Sequence, residues 1–430
     1  MTISLQNKTI HRTVLPNGMV VLVAENSAAD IIATRIFVQS GSCWETREKA
    51  GLAHLLSAVM TKGTTELSSM DIASRVESVG ASLSADAATD YFLLSLKTVT
   101  SDFANILELA GLLLRSPTFP DQEVELERRL AVQHIRSQQE QPFSIAFERL
   151  RQAMYQNHPY ASSGLGWEET ISCVERIDIQ QFHQTYFRPD NVVISLAGRI
   201  TVDAAVALIE KVFGDWQAPP TPLPQLKLPA LTSLPQWSKV AQQTQQSIIM
   251  LGYLAPAVEQ ADYAALKLLS TYLGNGLSSR LFVELREKLG LAYDVSAFYP
   301  TRKQPATFVV YIGTAPENTA IALSKLRAEV ELLCHDKLSA EDLQTAKNKL
   351  LGQYALGKQT NGQIAQAFGW YEILGLGIEF DTQFQQQVAN VTAAEANQAA
   401  CKYLLEPYVS LVGPESAINN SDQLPVTSYQ

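Results

Sequence analysis

Two histidines one helical turn apart, with a glutamate beside them, make a metallopeptidase helix. The i, i+4 spacing puts both imidazoles on one face, and the carboxylate serves as general base or acid. The stretch Gly51-Leu-Ala-His-Leu-Leu-Ser-Ala-Val-Met-Thr-Lys-Gly-Thr64 has that outline without most of its chemistry. His54 is present, but the base position three residues on is Ser57 and the second ligand position is Ala58. Both keep helix propensity. Ser57 cannot act as a carboxylate, and Ala58 cannot bind a metal. A lone histidine on an apolar helix is most simply a packed or hydrogen-bonded one, so the surroundings of His54 decide its meaning. The Gly274-Asn-Gly276 stretch is no phosphate loop, because it lacks the Lys-Ser/Thr of that motif.

The elements that must position these residues can be read in order. An Asn17-Gly18 turn between apolar runs predicts a hairpin. A strand over 31–38 follows, then the helix holding His54, which stops near Gly63. A short helix over 69–80, paired strands over 81–86 and 91–99, and helices over 103–114 and 123–139 come next. A buried strand over 191–198 and a helix over 202–213 close the first half. Five prolines between 219 and 229 cannot sit inside regular structure, so this stretch reads as an extended linker. The second half restarts with a strand over 247–254, a helix over 262–273, strands over 293–298 and 307–313, two long helices near 316–334 and 340–356, and a last strand over 408–412. Both halves run in the same order, which suggests a structural duplication. The tail after Pro414, rich in Ser, Asn and Pro, is expected to be loose.

Composition narrows the function classes. A chain of 430 residues, 46% hydrophobic and 18% charged, suits two well-buried domains. A net charge of −10 argues against nucleic acid as a partner. No apolar run reaches membrane-spanning length, and the N-terminus has no apolar signal core, so a cytoplasmic location is expected. The four cysteines, Cys43, Cys173, Cys334 and Cys401, form no CxxC pair and read as free buried thiols in a reducing compartment.

Together these features resemble the pitrilysin/insulinase family, in particular its shorter two-domain, processing-peptidase-like members. The resemblance covers nearly the whole chain. It is carried by Leu15-Pro-Asn-Gly-Met-Val-Val, Gly41-Ser, Glu45, Gly51-Leu-Ala-His54, Lys62-Gly-Thr64, Tyr186-Phe-Arg-Pro-Asp-Asn-Val-Val and Leu281-Phe-Val-Glu-Leu-Arg-Glu-Lys-Leu-Gly-Leu-Ala-Tyr293. The resemblance implies a zinc held by two helix histidines and a glutamate further along the chain. That glutamate aligns with His134, and Glu127 matches a second acidic residue near the metal. His54 and Glu127 therefore remain, while Ser57, Ala58 and His134 depart from the pattern. The resemblance also implies an Arg and a Tyr in the second domain that reach the bound peptide and the tetrahedral oxyanion. Arg286 and Tyr293 match them, seven residues apart. A guanidinium fork suits a peptide carbonyl, and a phenol suits a developing oxyanion. Ala81, Ser82, Leu83 and Ser84 align with the family's edge strand, where peptides add in β fashion through backbone hydrogen bonds.

The expected fold is α+β, with two homologous domains, each a mixed, mainly antiparallel sheet with helices packed on it. The expected boundaries are 1–215, a linker over 216–236, 237–415, and a tail over 416–430. The expected function is the non-catalytic, substrate-binding subunit of a heterodimeric zinc metalloendopeptidase, inactive alone. It would carry no cofactor itself, with zinc in a paralogous partner, and bind unstructured peptides. Two other readings stand beside it. One is a peptide-binding or assembly protein, able to pair as a homodimer when isolated. The other is an independent metallopeptidase that uses His54, Glu127 and His134 in a remodelled site.

Overall fold

A computed structural model of the chain describes residues 2–5 and 8–420. They fall into two compact units. The first holds the chain up to Ile135, Ser162–Leu228 and Tyr354–Thr382; the second holds Arg136–Ala161, Pro229–Gln353 and the chain from Gln383. The expected boundaries of 1–215 and 237–415 are contiguous in sequence, whereas these units are interleaved.

The first unit is built on seven strands: β1 (Thr2–Leu5), β2 (Lys8–Val14), β3 (Val20–Glu25), β4 (Ile31–Val38), β5 (Ser82–Ala87), β6 (Phe92–Val99) and β7 (Val192–Gly198), in the spatial order β1-β2-β3-β7-β4-β6-β5. The β3–β7 pair is parallel and the other pairs are antiparallel. The alternation of strand side chains sends Ile32, Ile36 and Val38 into a core with helices Leu52–Val59, Phe103–Arg115 and Val202–Phe213. Ala33, Arg35 and Phe37 point the other way, under helix Asn361–Ile373. Gly369 lets that helix press onto the sheet: a Cβ there would lie 2.3 Å from the Phe37 ring.

The second unit has five strands: β8 (Trp237–Ala241), β9 (Ser247–Ala255), β10 (Asp294–Phe298), β11 (Ala306–Thr314) and β12 (Tyr408–Gly413), in the order β10-β11-β9-β12-β8. Only β8–β12 is parallel. Helix Pro142–Tyr155 packs on β9 and β12, with Gly252 of β9 making room for Leu150 and Met154. Helix Thr319–His335 packs on β9 and β11, and helix Ala393–Tyr403 on β9.

The five strands β3 to β7 lie in space as 3-7-4-6-5, and β8 to β12 as 8-12-9-11-10. The two orders are the same topology, with the parallel pair in the same place. The molecule is therefore α+β with two homologous domains, as expected, and β5 and β10 are corresponding edge strands.

Residues 216–236 carry no helix or strand. The Arg188-Pro-Asp-Asn191 motif explains how this stretch is anchored in the first unit. Arg188, held by Asp190 at 2.5 Å, donates to the carbonyls of Thr221 (2.6 Å) and Pro219 (3.2 Å). The expected loose tail is corrected in part. Residues Glu415–Asn420 form a helix packed on β8 and β12, with Ala417 fully buried. Residues 421–430 of that tail lie outside the described residues.

Within the first unit, Lys358 and Asp381 form an ion pair whose side chains are 9% and 1% exposed. Tyr371 also donates to Asp381, and burial lowers the Lys358 pKa from its usual value. Removing one partner leaves a buried uncompensated charge. Asp381→Ala is expected to destabilise the protein by about 3–5 kcal/mol, whereas the paired change Lys358→Met, Asp381→Leu costs far less. Chemical denaturation of the two variants checks this, and equal losses would refute it.

Candidate functional site

Helix Leu52–Val59 starts where only glycine fits. Gly51 has φ +95°, and a Cβ there would lie 2.5 Å from both the Leu165 carbonyl oxygen and Ile171 Cδ1. Glu45 supplies the cap that Gly51 lacks: its carboxylate accepts from the backbone N–H groups of Gly51 (2.8 Å) and Ala53 (2.6 Å). Burial nevertheless pushes the Glu45 carboxyl up from 4.5 to about 8, against the pull of these two donors. The folded chain thus holds a proton between pH 4.5 and about 8 that the unfolded chain releases. Glu45 is therefore expected to make stability fall as pH rises through that window, by at most about 1.4 kcal/mol per pH unit. Thermal unfolding of the protein and of Glu45→Gln across the window should show this fall in the former and its absence in the latter.

Leu52, Leu55, Leu56 and Val59 anchor the helix in the core. His54 and Ala58 are half-buried on its other side, and Ser57 is 6% exposed. The Ser57 hydroxyl donates back to the His54 carbonyl at 2.7 Å, so it serves the helix backbone. Glu127, from helix Asp121–Gln139, is engaged by Lys62 at 2.9 Å, with the carboxylate side chain 15% exposed. His134, two turns further along that helix, is exposed. The fold brings these side chains into one electrostatic group. Burial holds the His54 imidazole below its usual pKa and His134 adds to this, while Glu127 and Asp86 of β5 pull the other way.

Three residues here were not singled out by sequence as site members. Lys62 and Glu45 stood only as motif matches, and Asp86 could have been found from alternation, since it shares the outward face of β5 with Ser82 and Ser84.

A catalytic zinc takes three protein ligands and a water. The residues present do not fit that need. Position 58 has no donor, the Ser57 hydroxyl is spent on the backbone, and the Glu127 carboxylate is neutralised by an ammonium. Among the described residues no group of three His, Cys, Asp or Glu side chains is placed to hold a metal ion.

Ala81 immediately precedes β5, and Ser82, Leu83 and Ser84 open it. Strand β5 is the edge of its sheet, paired among the described residues only with β6. Leu83 packs inward, while Ser82 and Ser84 are exposed. Its outer backbone edge therefore has the hydrogen-bonding groups that strand addition requires.

Arg286 and Tyr293 lie in the second unit. Arg286 sits in the π-helical segment Phe282–Lys288, a rare geometry that recurs at functional positions. Its exposed guanidinium lies 5.1 Å over the Phe282 ring and makes no ion pair among the described residues. Tyr293 comes just before edge strand β10, fixed by its N–H to the Gly313 carbonyl at 2.8 Å. The residue is 61% exposed.

Comparison with known proteins supplies the context of these residues. Residues 20–166 match the family model described as "Insulinase (Peptidase family M16)", and residues 174–350 match "Peptidase M16 inactive domain", together well over half of the chain. An "Uncharacterized zinc protease" of Mycobacterium leprae is 27% identical over 412 residues, covering 94% of this chain and 91% of the relative. One from Bacillus subtilis is 26% identical, covering 85% and 88%. A protease from Helicobacter pylori has the same fold, with a TM-score of 0.88 at 22% identity over 94% of this chain and 99% of that one. So does a peptidase M16 inactive domain from Pseudomonas fluorescens, at 0.87 and 24% over 94% and 98%. No helix among the described residues is long and apolar enough to cross a membrane.

Proposed function

We propose that this chain, which belongs to the M16 (pitrilysin/insulinase) peptidase family, is the non-catalytic, peptide-binding subunit of a heterodimeric zinc endopeptidase. It lends Arg286 and Tyr293 to the zinc site of a paralogous partner, a chain of the kind named zinc protease among the relatives. The observation that carries this reading is a contrast. The zinc end has Ser57, Ala58 and a Lys62–Glu127 ion pair where a base and ligands are needed. The Arg286 and Tyr293 side chains, at the family's spacing, are exposed, with the guanidinium stacked on Phe282 and in no ion pair among the described residues.

In this division of labour a zinc and a carboxylate held by the partner would supply water activation and proton transfer. This chain's residues bind and orient. The β5 edge of the first unit binds an extended peptide segment through backbone hydrogen bonds, and the second unit's pair acts separately at the partner's site. The Arg286 fork donates to a peptide carbonyl, and the Tyr293 hydroxyl donates to the oxygen that becomes negative in the tetrahedral intermediate. A second reading, a peptide-binding or assembly protein without a protease partner, is favoured by the open β5 edge alone, which serves binding with or without cleavage.

The purified chain is expected to contain no stoichiometric zinc and to leave unstructured peptides intact. Mixed with a zinc-bearing paralogue, it is expected to give peptidase activity that neither shows alone. Elemental analysis and peptide cleavage assays check both. Tightly held zinc with chelator-sensitive cleavage by the isolated chain would overturn the proposal in favour of a remodelled site. Peptide binding without any gain of activity on mixing would favour the assembly protein.

A further inference from the structure

The second unit holds two cysteines, far apart in sequence, that the fold brings together. Cys334 lies at the end of helix Thr319–His335 and Cys401 near the end of helix Ala393–Tyr403. The two helices pack on each other. Asn397, one turn before Cys401, donates to the carbonyls of Leu333 (2.8 Å) and Cys334 (3.0 Å) and so clamps the last turn of the first helix. Cys401 Sγ then reaches the same place, donating to the Cys334 carbonyl at 3.1 Å. A carbonyl oxygen is two bonds from its own Cα, so the Cys401 sulfur already sits within reach of the Cys334 side chain. The thiols also feel each other directly: burial, then the Cys401 sulfur, then Glu331 push the Cys334 thiol up to about 12. Both residues are partly exposed, which gives a small oxidant access. The other two cysteines differ. Cys43 is buried and Cys173 is exposed, so the expectation of four buried thiols holds only for Cys43.

We propose that Cys334 and Cys401 are a redox modification site, closing into a reversible disulfide that ties helix Thr319–His335 to helix Ala393–Tyr403. A peroxide is the oxidant. The Cys401 thiolate attacks one peroxide oxygen; the O–O bond breaks, the sulfur becomes a sulfenic acid, and the leaving oxygen departs as water after taking a proton. The Cys334 sulfur then attacks the sulfenyl sulfur, its proton leaves, and the sulfenyl oxygen departs as a second water. Two thiols and one hydrogen peroxide thus give one disulfide and two waters. A dithiol reductant reverses the bond by thiol–disulfide exchange. The crosslink spans a sequence separation of 67 residues, a loop long enough for closure to restrict the unfolded chain substantially. It acts on a helix that matters locally: Glu329, on Thr319–His335, holds Arg280 at 2.7 Å, just before the π-helical segment with Arg286.

The test uses the whole reduced chain. It is treated with stoichiometric hydrogen peroxide, the remaining thiols are alkylated, and the protein is digested without reductant. The expected result is one crosslinked peptide pair containing Cys334 and Cys401, two hydrogens lighter than the sum and separated by dithiothreitol, with two of the four thiols lost. The thermal midpoint rises on oxidation and returns on reduction. Cys401→Ser keeps a hydroxyl donor for the Cys334 carbonyl, and is expected to give neither the crosslink nor the shift. Recovery of Cys334 and Cys401 both alkylated after peroxide, or crosslinks that join only other cysteines, overturns the proposal. A midpoint shift that persists in Cys401→Ser does the same.

Discussion

In the proposed heterodimer, Tyr293→Phe is expected to lower kcat by about 10²–10³-fold, roughly 3–4 kcal/mol, because on that reading it removes a hydrogen bond made fully only in the transition state. Arg286→Ala acts mainly on KM, since a fork that grips a ground-state carbonyl contributes to binding before and during reaction alike. Neither change should block association or folding. Tyr293 is 61% exposed, and the only described side-chain contact of Arg286 is the face of the Phe282 ring. The measurement is steady-state kinetics of wild-type and variant heterodimers at matched zinc content. If both variants match wild type in kcat and KM, the pair has no catalytic role and the chain is a scaffold.

The second large effect is a gain. The triple change Ser57→Glu, Ala58→His, His134→Glu is expected to create a zinc site, raising metal content from none to one per chain. Position 58 is half-buried on the side of the helix that His54 faces and must take the larger histidine, while position 134 is exposed and takes a glutamate of no greater size than its histidine. Position 57 is the tight one. At 6% exposure a glutamate must extend past its neighbours, and it gives up the hydroxyl bond to the His54 carbonyl. The Lys62–Glu127 pair stays behind and keeps the Glu127 carboxylate engaged, so it cannot support the new metal. Supporting contacts of this kind are typically worth 10–100-fold in affinity, so the repaired site should bind zinc about 10–100-fold more weakly than an intact one. Metal titration of the folded triple variant reads this directly. A folded variant with no gain in zinc affinity means the pocket, and not only its ligands, has been rebuilt.

The sequence made the fold legible where physics is local. The Asn17-Gly18 hairpin, the apolar run in 31–38 and the apolar periodicity of 103–114 each report on local structure, and each lies where expected. The duplication was also legible, because element order survives when residue identity does not. Helices Pro142–Tyr155 and Asn361–Ile373 were not. The second shows why: it is buried at Ile364, Ala365, Phe368, Gly369, Tyr371 and Ile373, on several sides at once, and glycines stand at 362 and 369. A helix with apolar groups all round has no stripe to find, and its glycines argue against it until the Phe37 ring is seen beneath one of them. In the site, the missing chemistry at 57 and 58 was readable as residue types. That Lys62 neutralises Glu127 was not, because a pair 65 positions apart is a fact of packing.

The crossing of the two halves has a consequence for how the molecule is made. When β7 leaves the ribosome the first sheet has all its strands, yet Ala33, Arg35 and Phe37 still lie bare, because the helix that covers them ends at Ile373. At synthesis rates of about 5–20 residues per second, that face waits roughly ten to thirty seconds. Meanwhile helix Pro142–Tyr155 has been made with no sheet to sit on, since β9 and β12 come later. Neither domain can finish before the other has begun. The proline run at 219–229 marks the midpoint of the sequence, but the nascent chain has no completed product there, and a polypeptide released at that point leaves an apolar sheet face and an orphaned helix for chaperones or proteases to find.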